Sequence, residues 1–89
     1  MKIVITVAGR DRVGIVYDIA AVCKQLNINI VDITQKVLGG TFSMVMLAEA
    51  DENTARFQDI VDTFNKKGEE LCLNIHTMRE DIFNAMHRI

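Results

Sequence analysis

Two apolar stripes at helical spacing, each set between runs that alternate like β-strands, constrain this chain more than any single residue does. The first is Ile15, Val16, Ile19, Ala20, Val22, Cys23 and Leu26, which recur every three or four residues and predict a helix from about Val13 to Leu26. The second is Phe57, Ile60, Val61 and Phe64, with Asp51, Asn53 and Thr54 ahead of it as N-cap candidates and Gly68 behind it as a stop. Before the first stripe, "KIVITVA" places Ile3, Ile5 and Val7 on one side and Val4, Thr6 and Ala8 on the other, the period of a strand rich in β-branched residues. Between the stripes, "NINIVDITQKVL" and "TFSMVMLAEA" flank Gly39-Gly40, a two-residue hairpin signal. The apolar phase of the first of these runs shifts near Asn29 to Val31, which predicts a bulge where the strand begins. "ELCLNIHTM" then reads as a fourth strand with Leu71, Leu73 and Ile75 inward. "REDIFNAMHRI" returns to helical spacing and predicts a short tail helix over about 80–89.

The order is β-α-β-β-α-β with a tail helix, and its halves rhyme: "YDIAAVCKQ" and "QDIVDTFNK" align Asp with Asp and Ile with Ile. Two such units form a ferredoxin-like α+β sandwich, a four-stranded antiparallel sheet with two helices on one face because the crossovers are right-handed. The opposite face would carry Val4, Ala8 and one side of "SMVML". It is too apolar to stay wet, so the tail helix, a second subunit or both should cover it. At 89 residues the chain fits a single domain, 1–89. Such a chain buries only about 60–65% of its unfolded surface, which favours a partner subunit.

Composition excludes several function classes. A net charge of −2 gives no pull toward nucleic acid or anionic membrane. Phe42 is the one aromatic on the two central strands, too few for an RNA-stacking sheet. No apolar run approaches the length of a membrane span and no signal peptide is visible, so Cys23 and Cys72 read as reduced thiols of a cytoplasmic protein. His76 and His87 have no ligand-spaced neighbours, Cys23 lies on the helical stripe as a small core residue, and no metal or cofactor is expected. Acidic pairs fall at element ends rather than as matched titratable groups, so no enzymatic activity is expected.

The remaining signal is "GRDRVG", the charged turn between the first strand and the first helix. It has the glycine spacing of a phosphate-cradling loop, but Ile15-Val16 stand where Lys-Ser/Thr must follow. It lacks the cysteine pair of a metal carrier, since thiolates are what select soft ions. An acylphosphatase-like enzyme would need an asparagine on the third strand, and there is none.

Joined to the helix and strand after it, this turn gives "GRDRVGIVYDIAAVCKQLNINIVDITQ", which closely resembles ACT domains: a strand, a D/N-x-P-G-[IVL] turn, a helix, and "NI" opening the next strand. It is most similar to small stand-alone ACT proteins, whose tail resembles "IFNAMHRI", and is related in pattern to glycine-cleavage repressor-type modules. Val13 stands where the family usually has proline, which would have pre-set the backbone at the helix start. The resemblance implies a regulatory homodimer that binds an amino acid or similar metabolite between subunits and signals to an effector protein. Its site residues would be Arg10, Asp11, Arg12, Val13, Gly14 and Asn29. Asp11 and Asn29 would meet an ammonium group. The first helical N–H groups, with Arg10 or Arg12, would meet a carboxylate. Gly14 would let the helix start approach a ligand without a Cβ in the way. The competing expectation is a purely structural dimerisation module in which Asp11 caps the helix.

Overall fold

The computed structural model describes residues 1–86 and shows the strands and helices in the expected order. They are β1 (Lys2–Arg10), α1 (Ile15–Gln25), β2 (Ile28–Leu38), β3 (Thr41–Ala50), α2 (Phe57–Leu71), β4 (Asn74–Arg79) and α3 (Glu80–Met86). The sheet order is β2-β3-β1-β4, every pairing antiparallel, which is the ferredoxin-like arrangement. Gly39 and Gly40, both at positive φ (58° and 83°), close the β2–β3 hairpin with Leu38 facing Thr41. A register shift between Ile30 and Asp32 leaves Val31 as the bulge.

Alternation places Ile3, Ile5 and Val7 of β1 beside Met44 and Met46 of β3, all buried. Against them α1 presses Ile15, Ile19, Val22 and Cys23, and α2 presses Ile60 and Phe64. These spacings are one helical face each, so the two stripes and the alternating strands account for a single apolar layer. Phe42 is buried in that layer and is no stacking platform. On the opposite side Val4 is also fully buried, and α3 packs on β1 and β4 there. Ala8 and Ser43 farther along that face remain exposed. The tail helix therefore covers one end of the second face. Residues His87, Arg88 and Ile89, the last of the expected tail helix, lie outside the described residues.

Three boundaries differ from the sequence expectation. Helix α1 begins at Ile15, two residues late, because Gly14 takes a left-handed φ of 91° and ends the turn. "DENT" caps nothing: the Asp51 carboxylate accepts from the Asn53 N–H (2.9 Å) and the Thr54 hydroxyl (3.2 Å), folding a turn of its own. Helix α2 starts after it, at Phe57. Gly68 does not stop α2 but lies buried inside it. The helix ends instead at Cys72, in left-handed conformation, where the Leu73 N–H donates to the Gly68 carbonyl (2.9 Å) and the Cys72 N–H to that of Glu69 (3.4 Å). Leu71 accordingly belongs to α2 rather than to the fourth strand.

Gly68 serves packing. A Cβ there would stand 2.8 Å from the Leu73 carbonyl oxygen and 3.4 Å from a side-chain carbon of Ile75. Alanine in place of a mid-helix glycine ordinarily stabilises by about 0.5–1 kcal/mol. Here the sign reverses: Gly68→Ala should cost about 1–3 kcal/mol through overpacking against a backbone atom. Urea denaturation, with an unchanged m-value, reads this directly.

Candidate functional site

Strand β1 delivers the chain to the opening turn, and the turn is tied to the neighbouring hairpin: the Asp11 N–H donates to the Gly40 carbonyl at 2.8 Å, one step beyond the Arg10–Thr41 pair. The first helical bond of α1 runs from the Asp18 N–H to the Gly14 carbonyl (2.9 Å). The N–H groups of Ile15, Val16 and Tyr17 precede it, and among the described residues no side chain caps them. Asp11 thus does not fold back to seal the helix start. Arg12 is the residue that turns inward, pairing with Asp18 at 3.6 Å.

These groups border an open cavity of about 350 Å³. One wall is Asp11, Arg12, Gly14 and the first turn of α1, and the other is the closing end of β2, Gln35 to Val37, with Phe42 below. Since Arg12 is occupied by Asp18, the charged groups left to a ligand are the Asp11 carboxylate and the Lys36 ammonium, which form no ion pair among the described residues. With unpaired peptide N–H groups at the positive end of a helix, the cavity offers places for both signs of charge.

The six sequence-derived candidates do not all converge. Asp11, Arg12 and Gly14 line the cavity. Arg10 follows Val4, Thr6 and Ala8 onto the other face of the sheet by strand alternation. Val13 is almost wholly exposed and outside the lining. Asn29 lies at the opposite end of α1, in a separate cavity of about 450 Å³ with Lys24 and Asn27. Gly14 is required for its φ, since a Cβ there would meet nothing within 4 Å in the single chain. Sequence reading missed Tyr17, Gln35, Lys36 and Val37. The hairpin glycines held the signal: a strand that pairs back at Gly39-Gly40 must run its last residues alongside the start of the preceding helix.

Among the described residues no group of three or more His, Cys, Asp or Glu is placed to hold a metal ion. No helix there is long and apolar enough to cross a membrane. Cys23 is buried against the Met46 sulfur (3.8 Å), and burial pushes its thiol up to about 11.

This split βαβ sheet is the fold of ACT domains, and the ACT family model matches residues 1–77: the chain belongs to that family. ACT domains are usually regulatory, small-molecule-binding modules. Relatives over essentially full length are a UPF0237 protein of Listeria innocua, 44% identical over 89 residues covering all of both chains, and one of Neisseria meningitidis, 41% identical over 86 residues covering 97% and 96%. Among solved structures the chain is similar to an ACT domain protein from Streptococcus pneumoniae, with TM-score 0.83, 36% identity and 98% of each chain covered. It also resembles a putative glycine cleavage system transcriptional repressor, with TM-score 0.75, 26% identity, and 86% of this chain but 44% of that one covered.

The two thiols should behave differently. In the native protein an aromatic disulfide reagent should titrate Cys72 promptly and leave Cys23 untouched, with both reacting in denaturant. The folded state also keeps Cys23 protonated after the unfolded chain, near 9.0, has begun to ionise. Its contribution to stability is present below pH 9.0 and is lost as pH rises toward about 11, so the melting temperature should fall across that window and less so in Cys23→Ala.

Proposed function

We propose that this protein is a regulatory module that binds a small amino acid, or a metabolite with the same pairing of carboxylate and ammonium, at the start of α1. The observation that carries this reading is the uncapped helix start facing Asp11 and Lys36 across one cavity. The carboxylate meets the N–H groups of Ile15 to Tyr17 and the Lys36 ammonium, while the ammonium meets Asp11.

The second half of the reading is a homodimer joined along β2. This strand is a sheet edge, and Val31, Val37 and Leu38 on it are exposed, as are Val13 and Tyr17 beside the cavity. Antiparallel pairing of two β2 strands about Ile33, with the Val31 bulge taken into account, would bring Asn29 of one copy alongside Lys36 and Val37 of the other. It would thereby join the Asn29 cavity of one copy to the Asp11 cavity of its partner. Asn29 then serves the site across the interface, as an added acceptor for the ammonium. A ligand held by both copies favours the assembled state, and that shift, read by an effector protein in the cytoplasm, is the signal.

Thermal denaturation against the standard amino acids tests the ligand. At tenfold excess over Kd, linkage adds about 1.4 kcal/mol, which for a domain of this size raises Tm by roughly 5 °C or more. At least one amino acid should do so with the native protein and clearly less with Asp11→Ala. A flat response to all of them would leave the purely structural dimerisation module. Sedimentation tests the interface: the native protein should run at twice 10.0 kDa, and Val31→Lys with Val37→Lys should reduce it to that mass by charging the edge.

A further inference from the structure

The rhyme between the two halves of the sequence extends beyond the helices. The spacing that separates Asp18 from Asp59 also separates Asp11 from Glu52 and Gly14 from Ala55. In the fold, Glu52 and Ala55 border a cavity of about 230 Å³ at the start of α2, as Asp11 and Gly14 border the one at the start of α1. Its other walls are Met1, Arg56, Phe57 and Arg79.

The charges are arranged alike in both places. Arg56 is occupied by Asp59 (3.3 Å), as Arg12 is by Asp18 (3.6 Å), so the arginine bordering each cavity is already paired. Apart from the Met1 ammonium, which donates to the Ala50 carbonyl at 3.0 Å, what remains among the described residues is one carboxylate from the loop, Glu52 or Asp11, and one cation from the closing end of an edge strand, Arg79 or Lys36. Arg79 is moreover held in place. Its guanidinium lies 4.9 Å from the centroid of the Phe57 ring, and among the described residues it has no carboxylate partner. A planar cation fixed on a ring, with an unpaired carboxylate across a small cavity, suits a ligand that carries both charges close together.

We propose that the cavity between Glu52 and Arg79 is a second binding site for small zwitterions, the internal counterpart of the one at the opening turn. The ligand's carboxylate takes the Arg79 fork and its ammonium takes Glu52. With less room than the first cavity, this one selects the smaller amino acids. The proposal draws its ligand class from the reading of the first site but stands on different residues, and it needs no second copy of the chain.

Amide NMR of the labelled full chain, titrated separately with glycine, L-alanine and L-serine at millimolar concentration, tests it. Saturable shifts are expected at Glu52, Arg56, Phe57 and Arg79. Arg79→Gln, which deletes a charged hydrogen-bond partner, should weaken binding there about tenfold and leave any response at Ile15 to Tyr17 unchanged. Asp11→Asn should do the reverse. Shifts at Glu52 and Arg79 without shifts at the opening turn would uphold this site and overturn the first. Shifts at the opening turn alone would overturn this one, as would shifts near Glu52 that persist undiminished in Arg79→Gln. A chain unmoved at both places refutes both.

Discussion

Strand β1 is paired on both sides, buried along one face and buried at Val4 on the other, and the rest of the structure takes its position from it. Ile3, Ile5 and Val7 anchor the layer under α1 and α2, and Val4 anchors the opposite layer under α3. A strand so enclosed cannot slip by one residue without turning its core side chains outward. Its last residue therefore fixes where the opening turn leaves the sheet. The bond from the Asp11 N–H to the Gly40 carbonyl then ties that turn to the β2–β3 hairpin. The end of β2, the hairpin and the start of α1 thus form one mechanical unit, and a ligand that touches any of them touches the sheet edge.

The edge is where the surface chemistry of this small domain concentrates. Three of its exposed large apolar side chains, Val31, Val37 and Leu38, lie on β2, and Val13 and Tyr17 flank the same side. A second copy paired there would cover apolar surface that a chain of this length cannot bury alone. Such a union also explains how Asn29, at the far end of α1 from Asp11, can serve one site: the distance that separates them within a copy is what antiparallel pairing would close between copies.

The architecture was legible because it depends on period, and period survives without coordinates. Alternation in β1 and β3, the two helical stripes, the glycine pair of the hairpin and the phase change at Val31 all carry through to the structure. Helix ends were less legible, because they depend on competition between neighbouring groups. Asp51 commits its carboxylate to a local turn instead of capping α2, and Gly68 is buried for want of space beside Leu73 rather than used as a stop. The candidate cavity was half legible for a related reason. Asp11, Arg12 and Gly14 fall within four residues of one turn and announce themselves, whereas Gln35, Lys36 and Val37 reach the cavity only through chain reversal at the hairpin. That Arg12 would be taken by Asp18, six residues on, depends on side-chain geometry that residue spacing does not encode.

The central claim is that two copies meet edge to edge along β2 and complete each other's cavity. Intermolecular NOEs in a dimer assembled from one isotope-labelled and one unlabelled copy address it most directly. The account predicts cross-peaks between Asn29 of one copy and Lys36 or Val37 of the other, strengthened by a bound amino acid. Intermolecular contacts confined to α3 and the exposed face near Ala8 and Ser43, with none along β2, would contradict it.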